Sequence, residues 1–135
     1  MLKVERSVTL KAAPDAVWKV MGNFGDMSWH PAAKGTTVEE KDGAKVRTID
    51  IGGGAAIVER QTGEAAGKSY SYTILTSPLP VANYNSTIAL SAEGSGSRID
   101  WSGSFDAAGA SDDDAKNVIA GVYEGGLDAL AKRFG

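Results

Sequence analysis

The chain has 135 residues, 42% hydrophobic and 23% charged, enough to bury a core as one domain spanning 1–135. With 14 Lys and Arg against 17 Asp and Glu and no basic cluster, nothing favours nucleic acid as a partner. The absence of cysteine excludes a disulfide scaffold, a thiol nucleophile and a thiolate metal site.

The first segment, MLKVERSVTL, alternates apolar and polar residues, with Leu2, Val4, Val8 and Leu10 on one face of a strand. It has no continuous apolar run of the kind a signal peptide or a membrane span requires, so a cytoplasmic protein without a membrane span is expected. Ala13-Pro14-Asp15 breaks the strand and starts a helix that carries Val17, Trp18, Val20 and Met21 and stops at Gly22. A second short helical or irregular piece runs from Phe24 to about Trp29, closed by His30-Pro31.

From Gly35 to Asp106 strands alternate with tight turns. The expected strands are Thr36–Glu40, Ala44–Ile51, Ala55–Thr62, Ser69–Leu75, Tyr84–Ala92 and Arg98–Phe105. Their turns carry glycine where positive φ is cheapest, as in Gly52-Gly53-Gly54 and Gly94-Ser95-Gly96. The stretch Thr76–Asn83 reads as a loop. Ser111, with Asp114 three residues on, caps a helix running to Phe134. On it Val118, Val122, Gly126 and Leu130 form an apolar stripe flanked by Ile119, Leu127 and Phe134. Gly121, Gly125 and Gly126 interrupt this helix, and each costs roughly 0.5–1 kcal/mol relative to Ala. Either something approaches this backbone closely or space is left open beside it. Six consecutive strands on short turns predict an antiparallel sheet, and the long helix is the element large enough to cover it. A curled sheet and a helix that do not meet flush leave a hollow, the usual site for a small apolar ligand.

Several segments, in this order, carry a resemblance to a known family. They are Ser7-Val8-Thr9-Leu10, Ala13-Pro14-Asp15 with Val17-Trp18, Phe24-Gly25, Trp29-His30-Pro31, Val58-Glu59-Arg60, Leu79-Pro80-Val81-Ala82-Asn83-Tyr84 and the Gly121–Phe134 helix. Together they resemble the START-like superfamily, whose fold is also called helix-grip or Bet v 1-like. Within it the chain is most similar to bacterial polyketide cyclase/dehydrase-like proteins of the SRPBCC group. The plant abscisic acid receptors share the layout, including a Glu-Arg pair and an Asn-Tyr-x-Ser segment. The resemblance implies an α+β, helix-grip fold: a curved seven-stranded antiparallel sheet around a long C-terminal helix, two short helices after strand 1, and an internal cavity. It does not fix the ligand, because this layout hosts carriers, receptors and cyclases alike.

Glu59 is the sharpest candidate for chemistry. Strand spacing puts it on the same side as Ile57, and the resemblance turns that side inward. A carboxyl in an apolar hollow has a raised pKa and can hold or donate a proton. If the register slips by one, Glu59 faces water and Arg60 points in. Arg6 has the inward phase of strand 1, where it would anchor an anionic ligand group. Alternatively it snorkels out from a sheet edge. Tyr70 and Tyr72 share one strand face, Tyr84 and Ser86 another, and Trp101 a third. They form either aromatic cavity walls with a few hydroxyls or a solid core. Tyr72, Tyr84 and Ser86 match pocket positions of the abscisic acid receptors.

The apolar loop with Leu79 and Val81 resembles the superfamily's gating loop, and Gly52–Gly54 would face it. His30, the lone histidine, reads as structural, with Trp29 sealing the cavity end. Asp112-Asp113-Asp114 reads as a helix start, so no metal site is expected, and no Gly-x-Ser-x-Gly elbow points to a hydrolase.

The sequence thus predicts a cofactor-free binding domain for a small hydrophobic or aromatic molecule, as a monomer or weak homodimer. The cavity would be lined by Ile57, Glu59, Tyr70, Tyr72, Leu79, Val81, Tyr84, Ser86, Trp101, Val118, Val122 and Gly126. The alternative is a cofactor-free cyclase, aromatase or dehydratase using Glu59, Arg6 and Tyr72.

Overall fold

The computed structural model describes residues 1–135. The alternating segments form seven strands: β1 (Leu2–Leu10), β2 (Gly35–Lys41), β3 (Ala44–Gly52), β4 (Ala55–Ala65), β5 (Ser69–Thr76), β6 (Val81–Glu93) and β7 (Gly96–Ala107). They pair antiparallel in one sheet of order β1-β7-β6-β5-β4-β3-β2. Every connection from β2 to β7 is therefore a hairpin, and β1 returns to pair with β7. Register shifts in β3, β4 and β6 add local twist and help the sheet to curl.

Two helices complete the fold: α1 (Pro14–Met21) and α2 (Asp112–Phe134). Helix α1 starts with proline in its first turn and buries Val17 and Met21. Its partner in the expectation, a second short helix near Phe24–Trp29, is absent. That stretch folds as turns tied by local bonds such as Asp26 Oδ1 accepting from Ser28 N–H, which compete with helix. In α2, Ser111 Oγ accepts from Asp114 N–H at 3.1 Å, as the capping pattern predicts. The other end is held by the residues just after β1, because Lys11 and Ala12 N–H both donate to Phe134 O.

The loop before β6 is shorter than expected. Pairing begins already at Val81, and Asn83 takes a positive φ of 53° where the strand bulges.

Helix α2 packs on β1 and β7. The sheet's other wing, β3 to β5, is roofed by the connection between α1 and β2. The two roofs meet without filling the space beneath, and this seam positions the site.

Candidate functional site

Strand β3 presents Arg47, Ile49 and Ile51 to the interior, and β4 presents Glu59 and Ile57 opposite them. The register pairs Arg47 with Glu59 and Ile49 with Ile57. Met27, His30, Ala32 and Ala33 from the roof, Tyr72, Leu79 and Trp101 from farther along the chain, and Val122 from α2 close the remaining sides. The cavity, open on one side, has a volume of about 270 Å³. Its walls are mostly apolar, and the charged row lies one register step inward from the Ile49–Ile57 row, away from the glycine turn.

Arg47 and Glu59 are both buried. Arg47 Nε donates to Glu59 Oε1 at 2.7 Å, and Nη2 forms the ion pair with the same oxygen at 2.7 Å. Nη1 donates to Phe24 O at 3.1 Å and to Tyr70 Oη at 3.3 Å. The guanidinium also lies 4.1 Å from the Phe24 ring centroid and 4.9 Å from that of Tyr72, within cation–π range. Burial by itself would lower the Arg47 pKa, but Tyr70, Glu59 and Tyr72 outweigh it and hold the group above its ordinary value. Burial pushes the Glu59 carboxyl up, and the Arg47 bonds pull part of that back. Since arginine keeps its proton, a neutral Glu59 would strand a buried cation, so the ion pair is the stable form near neutrality.

The sequence reading did not single out Arg47. Its signal is the parity it shares with Ile49 and Ile51 along β3, together with its place directly across from Glu59.

Six of the expected lining residues do line the cavity: Ile57, Glu59, Tyr72, Leu79, Trp101 and Val122. Four others are buried beside it without facing it. Tyr70 is spent on Arg47. Tyr84 and Ser86 bond Tyr123 of α2, Ser86 Oγ also donates to Ser102 O at 2.7 Å, and Trp101 Nε1 donates to Tyr72 Oη and Ser86 Oγ at 3.2 Å each. Burial raises the pKa of Tyr70, Tyr72, Tyr84 and Tyr123, so these phenols stay protonated. Gly126 is the fourth. A Cβ there would lie 2.8 Å from both His30 Cδ2 and Trp101 Cζ3, and 3.0 Å from Trp29 Cζ3. This answers the glycine question at that position: three aromatic side chains press on the helix backbone. At Gly121 a Cβ would meet nothing.

Four expectations are corrected. Val118 is 38% exposed: the buried face of α2 runs through Ala115, Ile119, Tyr123, Gly126, Leu127 and Leu130, so of the expected stripe Gly126 and Leu130 are buried, Val122 is half-buried and only Val118 turns outward. Arg6 lies on the edge strand where α2 runs alongside. It reaches outward to Glu124 at 3.2 Å, both side chains exposed, and contributes nothing to the interior. Val81, paired with Ala107, borders a shallow surface hollow at the β5–β6 turn. Trp29 likewise packs behind His30, against Trp101, and does not line the cavity.

His30 is a fixed part of the wall. Its Nδ1 accepts from Ala32 N–H at 3.1 Å, which leaves Nε2–H to donate to Val122 O at 2.8 Å and sets the neutral tautomer. No group of three or more His, Asp or Glu side chains is placed to hold a metal ion. No helix is long and apolar enough to cross a membrane.

A curved seven-stranded sheet gripping a long terminal helix around an apolar cavity defines the helix-grip, Bet v 1-like class. The chain belongs to the family described as polyketide cyclase/dehydrase and lipid transport, whose model matches residues 1–135. Among solved structures it is similar to the protein XoxI from Bacillus cereus, with 32% identity, 99% of this chain and 96% of that one covered, and a TM-score of 0.90. The allergen structure Ara h 8.0201 shares the fold at 18% identity and a TM-score of 0.77, over 98% of this chain and 96% of that one. The Zhui aromatase/cyclase from Streptomyces sp. R1128 shares it at 22% identity and 0.73, over 98% and 92%. No curated protein sequence matches the chain.

Proposed function

We propose that the protein binds a small hydrophobic or aromatic molecule in the cavity between its sheet and α2. The observation that carries this reading is the cavity itself: about 270 Å³ walled by Ile49, Ile51, Ile57, Leu79, Val122 and Trp101, with one charged row at its inner end. The volume is just below the roughly 300–1,000 Å³ range of ligand pockets, so the ligand is compact. The way in runs between the Gly52–Gly54 turn and the loop before β6, where Ile51 and Leu79 stand. The family's description, which includes lipid transport, agrees with this reading. Titration with planar aromatic and short-chain fatty compounds should raise the melting temperature with ligand concentration, as binding to the native state alone requires. An Ile57→Trp variant, which fills the cavity, should lose the shift. A flat melting temperature across such a panel would reject the reading.

One observation favours a second reading. Glu59 uses only Oε1 on Arg47; in this reading its other oxygen acts as a general base on a bound substrate, with Tyr72 polarising a carbonyl. That would make the protein a cofactor-free cyclase or dehydratase. Turnover of a polyketide-like substrate that is abolished in Glu59→Gln would support it. Turnover unchanged in that variant would remove Glu59 from any such mechanism.

A further inference from the structure

Resting on the reading of the cavity as a ligand site, we infer that its occupant is a neutral molecule with a hydroxyl at its buried end, and that carboxylates are turned away. Most of the polar groups along the cavity wall are already committed to partners within the protein. Arg47 Nε–H is on Glu59 Oε1, Nη2 lies against the same oxygen at 2.7 Å, and Nη1 donates to Phe24 O and to Tyr70 Oη. Its face is covered by the Phe24 ring. The cation is therefore already neutralised and enclosed by the protein. His30 has both ring nitrogens engaged with backbone, and Trp101 Nε1 is shared between two hydroxyls.

Glu59 differs from these groups. The residue is only 5% exposed, yet Oε2 has no partner within the protein and is not among the fully enclosed polar atoms. Because Glu59 lines the cavity, that oxygen is what the charged row offers a ligand. It is a charged acceptor and asks for a donor. A ligand carboxylate would set a second negative charge beside it among isoleucines, with little solvent to screen the repulsion. An ammonium would have to be desolvated against the same apolar walls while Arg47 already supplies the compensating charge. A hydroxyl on an otherwise apolar body meets both demands.

Three probes on one scaffold test this in the full-length protein by calorimetry at neutral pH: 2-naphthol, 2-methoxynaphthalene and 2-naphthoate. The expected order is 2-naphthol tightest, at least about ten-fold over the ether, with 2-naphthoate weakest. In Glu59→Gln the amide oxygen stays with Arg47 and the NH₂ faces the cavity, so the naphthol-to-ether ratio should collapse or invert. The wild-type series decides the matter even if that variant folds poorly. Wild-type protein that binds the ether or the naphthoate as tightly as 2-naphthol overturns the hydroxyl inference while leaving the cavity a ligand site. Failure to bind any of the three at millimolar concentration overturns the ligand site itself, and the inference with it.

Discussion

Beneath α2, the hydroxyls of Tyr84, Tyr123 and Ser86 and the indole N–H of Trp101 satisfy one another and the Ser102 carbonyl. Beneath the roof between α1 and β2, Arg47 and Glu59 satisfy each other but leave one carboxylate oxygen over. Both clusters are buried polar groups in an apolar interior, yet they do different things. A closed network fixes one packing and has nothing to offer a ligand. A network with a surplus acceptor, set against a void, is unfinished until something else enters. Gly103 shows how deliberate the closed side is: a Cβ there would overlap Tyr123 Oη, so the sheet leaves that position bare for the helix tyrosine.

The comparison is tested hardest at Arg47. Arg47→Met removes the Nε bond and the Nη2 ion pair to Glu59, the donor to Phe24 O and the cation beside the Phe24 and Tyr72 rings. The expected loss is about 3–5 kcal/mol in urea unfolding, the cost of stranding one member of a buried pair. The double variant Arg47→Met, Glu59→Met should recover most of that, since an apolar replacement of the whole pair is often neutral, but it should no longer prefer a hydroxyl-bearing ligand. A single-variant cost below about 1 kcal/mol would mean that water already solvates the pair.

On the closed side the expected effects are smaller and opposite in pattern. Gly126→Ala drives a methyl against His30, Trp101 and Trp29 and should cost about 1–3 kcal/mol despite the better helix propensity. Gly121→Ala, five residues earlier on the same helix with open space around it, should gain roughly 0.5–1 kcal/mol. Thermal unfolding of the pair separates propensity from packing in one experiment. Tyr123→Phe removes the partner of Tyr84 and Ser86 and should cost about 1–2 kcal/mol. It should leave ligand affinity unchanged, because Tyr123 does not line the cavity. A large loss of affinity in Tyr123→Phe would merge the two clusters into one.

The alternation of apolar residues made the strands and their inward faces legible. Tyr70, Tyr72, Tyr84, Ser86 and Trp101 all point in, as their spacing says. Spacing could not say which of them meet the void, since that depends on where α2 crosses the sheet. Val118 departs from the expected face of α2 for a related reason. Val118 fits an apolar stripe by type, but Tyr123, polar at its tip, outcompetes it for the interior because Gly103 makes room and Tyr84 and Ser86 wait to bond it. Arg6 has inward parity, yet parity means little on an edge strand beside a helix with Glu124 in reach. Arg47 is legible in principle, from parity plus a partner across the hairpin, but arginine by type belongs to the surface.

The smallest expected effect belongs to His30, where the two roofs join. Burial lowers its pKa most, the Val122 carbonyl restores part of that, and the field of Arg47 lowers it further. The direction is thus below the usual 6.5, and the hydrogen bonds agree, because a proton on Nδ1 would face Ala32 N–H. As pH falls through 6.5 the unfolded chain takes up this proton before the native one does. Stability therefore declines on acidification, by at most about 1.4 kcal/mol per pH unit, until the native ring also titrates. Glu59 opposes this trend, since its raised pKa makes stability fall as pH rises above 4.5. Comparing wild type with His30→Gln removes the Glu59 contribution and leaves the imidazole alone. As the chain's lone histidine, His30 also gives an unambiguous ring signal for titration by NMR. A midpoint at or above 6.5 would show that the ring is not held neutral by its two backbone partners, and that the wall it forms is open to solvent.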